Sequence, residues 1–485
     1  MSDSGGIARP GDTAWRIEQA RRVSVIVDAE DYFRAVRDAM LEAKHQILLI
    51  GWDFDARIRL AEACEEASDA PEQVGPFLTW LAKRTPTLNI YLLRWDMGAL
   101  KTFLRPKTVA TIARWMLHPR IHPRLDSHHP PGASHHQKIV VIDDCLAFCG
   151  GIDMTAGRWD TRAHHDDEPR RANPGRKPHG PWHDATTALQ GPIAKALGEL
   201  ARDRWALSGG PEIAPPPATD DLCWPEQLTP HFENTPAAIS RTQPECKGAE
   251  PVHEIEKLYL ALIASARRTI YAESQYFASR RIAEAIARRL DEPDGPEIVI
   301  VNPTEADGWL EQMAMDTARA RLVEALHQRD RHGRLRLYHP FTAAGQPIYV
   351  HAKVLVVDDQ VLRIGSSNFN NRSLRLDTEC DVTVEASDDA MRTSIRGIRE
   401  GLLAEHLGST PEEVAATIEA KGSLIAAVEA LRERPGRTLR PYAVPDLSAV
   451  SAWLAENEAL DPENPDDMFE PVASGGLFRR LRKPR

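Results

Sequence analysis

Two stretches decide the reading of this chain: His136-Gln-Lys-Ile-Val-Val-Ile-Asp143 and His351-Ala-Lys-Val-Leu-Val-Val-Asp358. Each runs His, spacer, Lys, four apolar residues, Asp. The first is followed by Gly150-Gly-Ile-Asp153 and the second by Gly365-Ser-Ser-Asn368. An apolar run of this kind suits a central strand covered on both faces. Alternation along extended backbone puts the His and Lys of each stretch on one face, two residues apart. The strand then ends in Asp and turns through Gly. One His-x-Lys alone reads as a satisfied structural pair. The whole pattern, twice, is not explained by packing.

The flanking sequence repeats as well. Val23–Val27 reads as a strand, Tyr32–Lys44 as an amphipathic helix, and Gln46–Ile50 and Asn89–Leu93 as strands. Ile255–Ala266 then reads as a helix, with strands at Thr269–Ala272 and Glu297–Val301. Ala43-Lys-His-Gln-Ile47 aligns with Ala266-Arg-Arg-Thr-Ile270, and Lys138 with Lys353, at nearly equal offsets. The pattern is an internal duplication of one α/β domain. The expected organisation is an N-terminal extension (1–22), a first domain (23–210), a linker (211–247), a second domain (248–400) and a helical C-terminal region with a basic tail (401–485). The linker is dense in proline, which neither a helix nor a central strand accommodates. Residues 163–180, rich in His, Arg, Asp and Pro, read as a mobile loop or lid.

Composition narrows the class. The 485 residues carry a formal charge of −11, which argues against binding nucleic-acid phosphates without sequence preference. No apolar run is long enough to span a bilayer, and the N-terminus lacks a signal-peptide pattern. Six sparse cysteines then suggest reduced thiols in a cytoplasmic protein, and the chain is expected to be a monomer. Cys145 and Cys149 form at most half of a metal site.

The duplicated pattern points to phosphoryl chemistry with no metal and no cofactor. Lys138 and Lys353, with the short donors Ser366 and Asn368, can hold a phosphodiester's non-bridging oxygens. His136 and His351 can supply nucleophile and general acid, because imidazole titrates near neutrality. Pairing the copies across a pseudo-two-fold axis puts one imidazole on each side of the phosphorus. Asp153, where the second copy has Asn368, cannot donate to phosphate.

These residues resemble the duplicated His-x-Lys-x4-Asp motif of the phospholipase D superfamily, over about Val23 to Glu385. Several further blocks are similar to phospholipase D proper: Gly150-Gly-Ile-Asp-Met-Thr-Ala-Gly-Arg-Trp-Asp-Thr161, Pro181-Trp-His-Asp184, Tyr271-Ala-Glu-Ser-Gln-Tyr-Phe277 and Gly365-Ser-Ser-Asn-Phe-Asn-Asn-Arg-Ser373 with Asp377-Thr-Glu379. The resemblance implies two similar α/β/α sandwich domains with the active site at their interface. It implies a phospholipid substrate cleaved to phosphatidate and head-group alcohol, with head-group transfer to other alcohols. His136 would be the nucleophile and His351 the general acid, with Asp184 and Glu379 orienting them. The motif includes Asp143 and Asp358 in the catalytic set, although each reads as a strand-end turn acceptor. A cardiolipin synthase shares both motifs but commonly carries membrane spans. A nuclease fits the acidic balance poorly.

Weaker features remain. His128, His129 and His135 crowd the first motif and read as a polar loop at the mouth of the site rather than as metal ligands. Trp52, Trp159, Trp182 and Trp309 fall near strand ends where that mouth would lie. The tail Leu477-Phe-Arg-Arg-Leu-Arg-Lys-Pro-Arg485 could make peripheral contact with an anionic membrane surface.

Overall fold

A computed structural model describes residues 6–61, 69–96, 105–175, 177–219, 224–305 and 309–445. Cys64, Cys223 and the basic tail lie outside them. One 16-stranded sheet runs through the molecule. Its first half holds β1 (Arg16–Val27), β2 (Gln46–Gly51), β3 (Asn89–Trp95), β4 (Ile121–Asp126), β5 (Ile139–Ile142), β6 (Leu146–Gly150) and β8 (Ala185–Gln190). These lie in the order β4-β3-β2-β5-β6-β8-β1. The second half holds β9 (Phe232–Gln243), β11 (Thr269–Glu273), β12 (Glu297–Val301), β13 (Leu335–Phe341), β15 (Val354–Val357), β16 (Val361–Gly365) and β17 (Glu379–Glu385). Their order, β13-β12-β11-β15-β16-β17-β9, is the same one. The halves join where β1 pairs with β9 antiparallel. β10 (Val252–His253) pairs with β9, and β18 (Thr438–Pro441) extends the far edge beside β13.

Residue alternation explains the layering. In β2, Leu48 and Ile50 face a core that spans both halves and holds the helices Pro192–Leu207 and Asp389–Leu407. Ile47 and Leu49 face the other side, under the helices Ala29–Leu41 and Val74–Arg84. In the second half Ile298 and Ile300 face the helices Glu254–Ser265 and Arg280–Leu290. The C-terminal helices Pro411–Lys421 and Leu424–Leu431 fall within the expected helical region.

Three expectations need correction. The proline-dense linker contains β9, the strand that starts the second copy. Pro236 is tolerated because its register partner is Gln19 of β1, whereas the β17 ladder on the other side stops at Ala238. Likewise the boundary at residue 23 falls inside β1, whose first half pairs with β9. Residues 163–180 are not simply a surface lid either, since His164 and Arg171 are buried.

The two motif aspartates do matching work at the far end of their strands. Asp143 accepts from the backbone N–H of Lys44, His45 and Gln46 at 2.7, 2.9 and 2.6 Å. Asp358 accepts from Arg267, Arg268 and Thr269 at 2.6, 2.7 and 2.8 Å. Each clamps the entry to the strand beside its own, β2 or β11. Each lies five residues beyond its lysine, roughly 16 Å along a strand. Their inclusion in the catalytic set is therefore corrected to a structural role. Asp143→Ala or Asp358→Ala is expected to lower the unfolding free energy by roughly 2–4 kcal/mol, because three N–H groups lose a charged acceptor. An unchanged denaturation midpoint would refute that role.

Candidate active site

Each motif imidazole comes from one half and its carboxylate from the other. Short extended segments on either side of the seam bring them together. β14 (Tyr349–Val350) pairs with β7 (Trp182–His183), and His351 donates its backbone N–H to His183 O at 2.7 Å. That register sets His351 Nδ1 2.6 Å from Asp184 Oδ2. The equivalent bridge joins His135 to Thr378, with His136 N–H donating to Thr378 O at 2.9 Å. It sets His136 Nδ1 3.0 and 2.9 Å from the two oxygens of Glu379. Both imidazoles thus present Nε2 away from their carboxylates. The strands proper begin at Ile139 and Val354, so each His and Lys sits on the extended lead into its strand.

Glycine is required behind this arrangement. A Cβ on Gly151 would lie 2.1 Å from Asp184 Oδ1, and one on Gly365 would lie 2.0 Å from Asp381 Oδ1. The carboxylates can approach only because those side chains are missing.

The lysines are buried and tethered. Lys138 Nζ donates to His136 O at 2.9 Å and pairs with Asp153 Oδ2 at 3.2 Å. Asp153, which cannot donate to phosphate, instead holds the lysine. Lys353 Nζ donates to His351 O and lies 3.5 Å from Gln275 Oε1. Burial is the largest influence on Lys353 and brings its ammonium down to about 7. Burial, then the Lys138 and Lys353 charges, holds His136 well below its ordinary 6.5. His351 is likewise held low by burial, then by Lys353 and Arg158.

Ser366 differs from expectation. Its hydroxyl accepts from Cys380 N–H at 3.0 Å and donates to Glu379 Oε2. It therefore braces Glu379 as an acceptor rather than waiting for phosphate. Asn368 is 2% exposed, and its Oδ1 has no hydrogen-bond partner.

Aromatic walls flank both imidazoles. Trp52 stacks on Trp95 and meets His136 edge-on, with centroids 6.4 Å apart. Trp182 stacks on Tyr349 and lies 5.2 Å from His351. Trp159 instead stacks under Arg170; the side chain of Trp309 lies outside the described residues. The histidines beside the first motif are not a uniform polar mouth. His135 is fully buried, with Nδ1 2.9 Å from Thr378 Oγ1, while His129 binds Asp96 at 3.0 Å.

Behind the site lies a buried polar cluster that sequence reasoning missed: Asp28, His164, His183, Glu273, Glu405 and His406. Only the Pro-Trp-His-Asp block around His183 and the Glu273 block carried a signal. The other members are far apart in sequence.

Two tautomers follow from this geometry. In imidazole nitrogen-15 spectra of the ligand-free protein at neutral pH, His136 is expected to be neutral with its proton on Nδ1. Asp184→Asn should let the His351 proton move between its nitrogens. A fully charged His136 at pH 7 would contradict the assignment.

A family profile described as "Cardiolipin synthase, PLD-like domain" matches residues 259–395, which include the second motif. The chain is 25% identical to "Phospholipase D A" of Dictyostelium discoideum over 80% of its own length and 36% of the relative's. It is 24% identical to "Phospholipase D alpha 1" of Carica papaya over 78% of its length and 63% of the relative's. It thus spans between about a third and two thirds of these curated relatives. In three dimensions it is similar to the phosphatidylserine synthase of Haemophilus influenzae Rd KW20. The TM-score is 0.54 at 11% identity, over 86% of this chain and 96% of the other. With the duplicated motif and the doubled sheet, the chain is similar to phospholipase D proteins in sequence over most of its length and shares the fold of the phosphatidylserine synthase.

Proposed function

We propose that this protein cleaves phospholipid phosphodiesters to phosphatidate and a free head-group alcohol through a phosphohistidine on His136. The observation that carries this reading is the exchange of carboxylates between halves. It leaves two imidazoles, each anchored through Nδ1, with their Nε2 atoms free for chemistry on a substrate at the seam.

The steps balance as follows. His136 Nε2, neutral and carrying its lone pair, attacks phosphorus and forms the P–N bond. The P–O bond to the head group breaks in line, and His351, neutral in the free protein but taking up a proton as the phosphate anion binds and favours its imidazolium form, gives its Nε2 proton to the leaving alkoxide. Glu379 accepts the Nδ1 proton of His136 in a hydrogen bond and stabilises the cation that forms. Lys138 and Lys353 offset the charge on the non-bridging oxygens. The phosphate anion in turn favours the ammonium form of Lys353, which burial otherwise weakens. In the second half, His351 takes a proton from water, the oxygen attacks phosphorus, and the P–N bond breaks. Water gives phosphatidate. An alcohol in its place gives a new phosphodiester, so hydrolase and phosphatidyltransferase share one intermediate. The aromatic walls suit a substrate with an apolar body and a charged centre. No helix among the described residues is long and apolar enough to cross a membrane, so this reading has the substrate met at a lipid surface.

Substrate quenched with His351→Ala protein is expected to leave phosphate on His136 in peptide maps. With wild-type protein, ethanol should divert product from phosphatidate to phosphatidylethanol while head-group release continues. Label on another residue, or ethanol without effect on product, would overturn the mechanism. A failure to act on any phospholipid, with retained cleavage of a nucleic acid, would favour a superfamily nuclease.

The pH dependence has a definite sign. His136 must be neutral to attack, and its pKa lies well below 6.5 in the free protein. The acid limb of kcat/KM, which reports the free enzyme, should therefore fall below pH 6.5. A decline that begins above pH 7 on acidification would mean that burial does not hold His136 neutral.

A further inference from the structure

Asp28, His164, His183 and Glu405 meet in the interior behind the Asp184–His351 pair, all of them nearly or fully buried. They come from the end of β1, the loop after β6, the segment β7 and the helix Asp389–Leu407. Each has one atom directed inward and one engaged outside the group. Asp28 Oδ1 accepts the backbone N–H of Asp184 at 3.0 Å, whereas Oδ2 has no hydrogen-bond partner. Glu405 Oε2 accepts from Arg162 at 2.6 Å, whereas Oε1 faces the two imidazoles. His164 Nδ1 is 2.9 Å from Asp160, and His183 Nε2 is 2.8 Å from Glu273. That leaves His164 Nε2 and His183 Nδ1 pointing into the same space.

The inward atoms all lie within 4.8 Å of one another, close enough to meet a single ion. His183 Nδ1 lies 2.7 Å from Glu405 Oε1, His164 Nε2 lies 3.1 Å from that oxygen, and His164 Nε2 lies 3.4 Å from Asp28 Oδ2. Ligands about 2.0–2.1 Å from a zinc-type ion stand roughly 3.4 Å from one another. His183 Nδ1 lies 2.7 Å from Glu405 Oε1 and 3.2 Å from Asp28 Oδ1, and His164 Nε2 is hydrogen-bonded to Glu405 Oε1, contacts that an ion held by these atoms would replace. Asp160 and Glu273 sit where a carboxylate fixes the tautomer of a metal-bound imidazole. Two neutral imidazoles and two carboxylates would also cancel the charge of a divalent ion, leaving the buried group neutral.

We propose that Asp28 Oδ2, His164 Nε2, His183 Nδ1 and Glu405 Oε1 bind a divalent transition-metal ion of the zinc class, as a closed structural site distinct from the phosphoryl site. Four protein ligands leave no open position for substrate, so its role is to staple the N-terminal half to the helix Asp389–Leu407. Asp28 also holds the backbone of Asp184. The ion would thereby fix the carboxylate that orients His351.

The test uses the full chain, purified without chelator. Elemental analysis is expected to find about one such ion per chain. Stripping with dipicolinate should lower the melting temperature, and added zinc should restore it. Cobalt should give visible bands of tetrahedral intensity in the wild-type protein, and His164→Gln and Glu405→Gln should abolish them. The wild-type cobalt spectrum and zinc restoration do not depend on the variants folding. The proposal fails if the chain holds no ion as isolated and neither metal changes its spectrum or melting temperature; the histidines are then imidazolium partners of the carboxylates. It also fails if both variants retain the bands, since the ion then lies elsewhere.

Discussion

The exchange of carboxylates across the seam constrains the rest of the molecule. His136 finds Glu379, and His351 finds Asp184, only if the halves meet in one register. A one-residue slip of a strand would turn its whole side-chain set to the other face. The continuous sheet prevents that slip, because β1, β9 and β17 carry ladders on both sides of the junction. The short pairings at Trp182–Tyr349 and His135–Thr378 then carry that register to the imidazoles. Neither motif histidine finds its carboxylate within its own half, so the proposed catalytic arrangement belongs to the pair of halves.

Electrostatics adds a second constraint. Two imidazoles and two lysines share a buried space in which Glu379, Asp184 and Asp153 are their ion-pair partners among the described residues. Burial depresses Lys353 and both imidazoles together. A bound phosphodiester supplies an anion that such a site lacks, and anything that binds only the folded state also stabilises it. On the proposed reading, the same burial that keeps His136 neutral favours a substrate that carries its own negative charge.

Much of this was legible in the sequence because the duplication displayed it twice. The repeated spacing identified both His-Lys sets, and the alignment of residues 43–47 with 266–270 is realised as two equal sets of hydrogen bonds to Asp143 and Asp358. Other features were hidden for physical reasons. β9 was obscured by proline, whose cost depends on which neighbour is present at that one position. Ser366 looked like a phosphate donor because its contact with Glu379 crosses from β16 to β17. The buried cluster could not be assembled from the sequence, since Asp28, His164, His183 and Glu405 become neighbours only through tertiary structure.

The motif itself records two separate requirements. On the proposed reading its His and Lys serve phosphoryl chemistry, whereas its Asp ties the strand's far end to the loop entering the next strand. The spacing of five residues between Lys and Asp is the length of the strand that links these tasks. Shortening or lengthening that strand by one residue would keep every residue type but rotate either the imidazole or the clamp out of place. A fixed interval between chemically unrelated residues is thus what a rigid strand imposes when one end must meet a substrate and the other must hold the sheet. The carboxylates that do touch the imidazoles lie outside the motif, on the opposite half. There the constraint is on the approach of two surfaces, met by Gly151 and by the bracing of Glu379 through Ser366, and it leaves no local spacing to read.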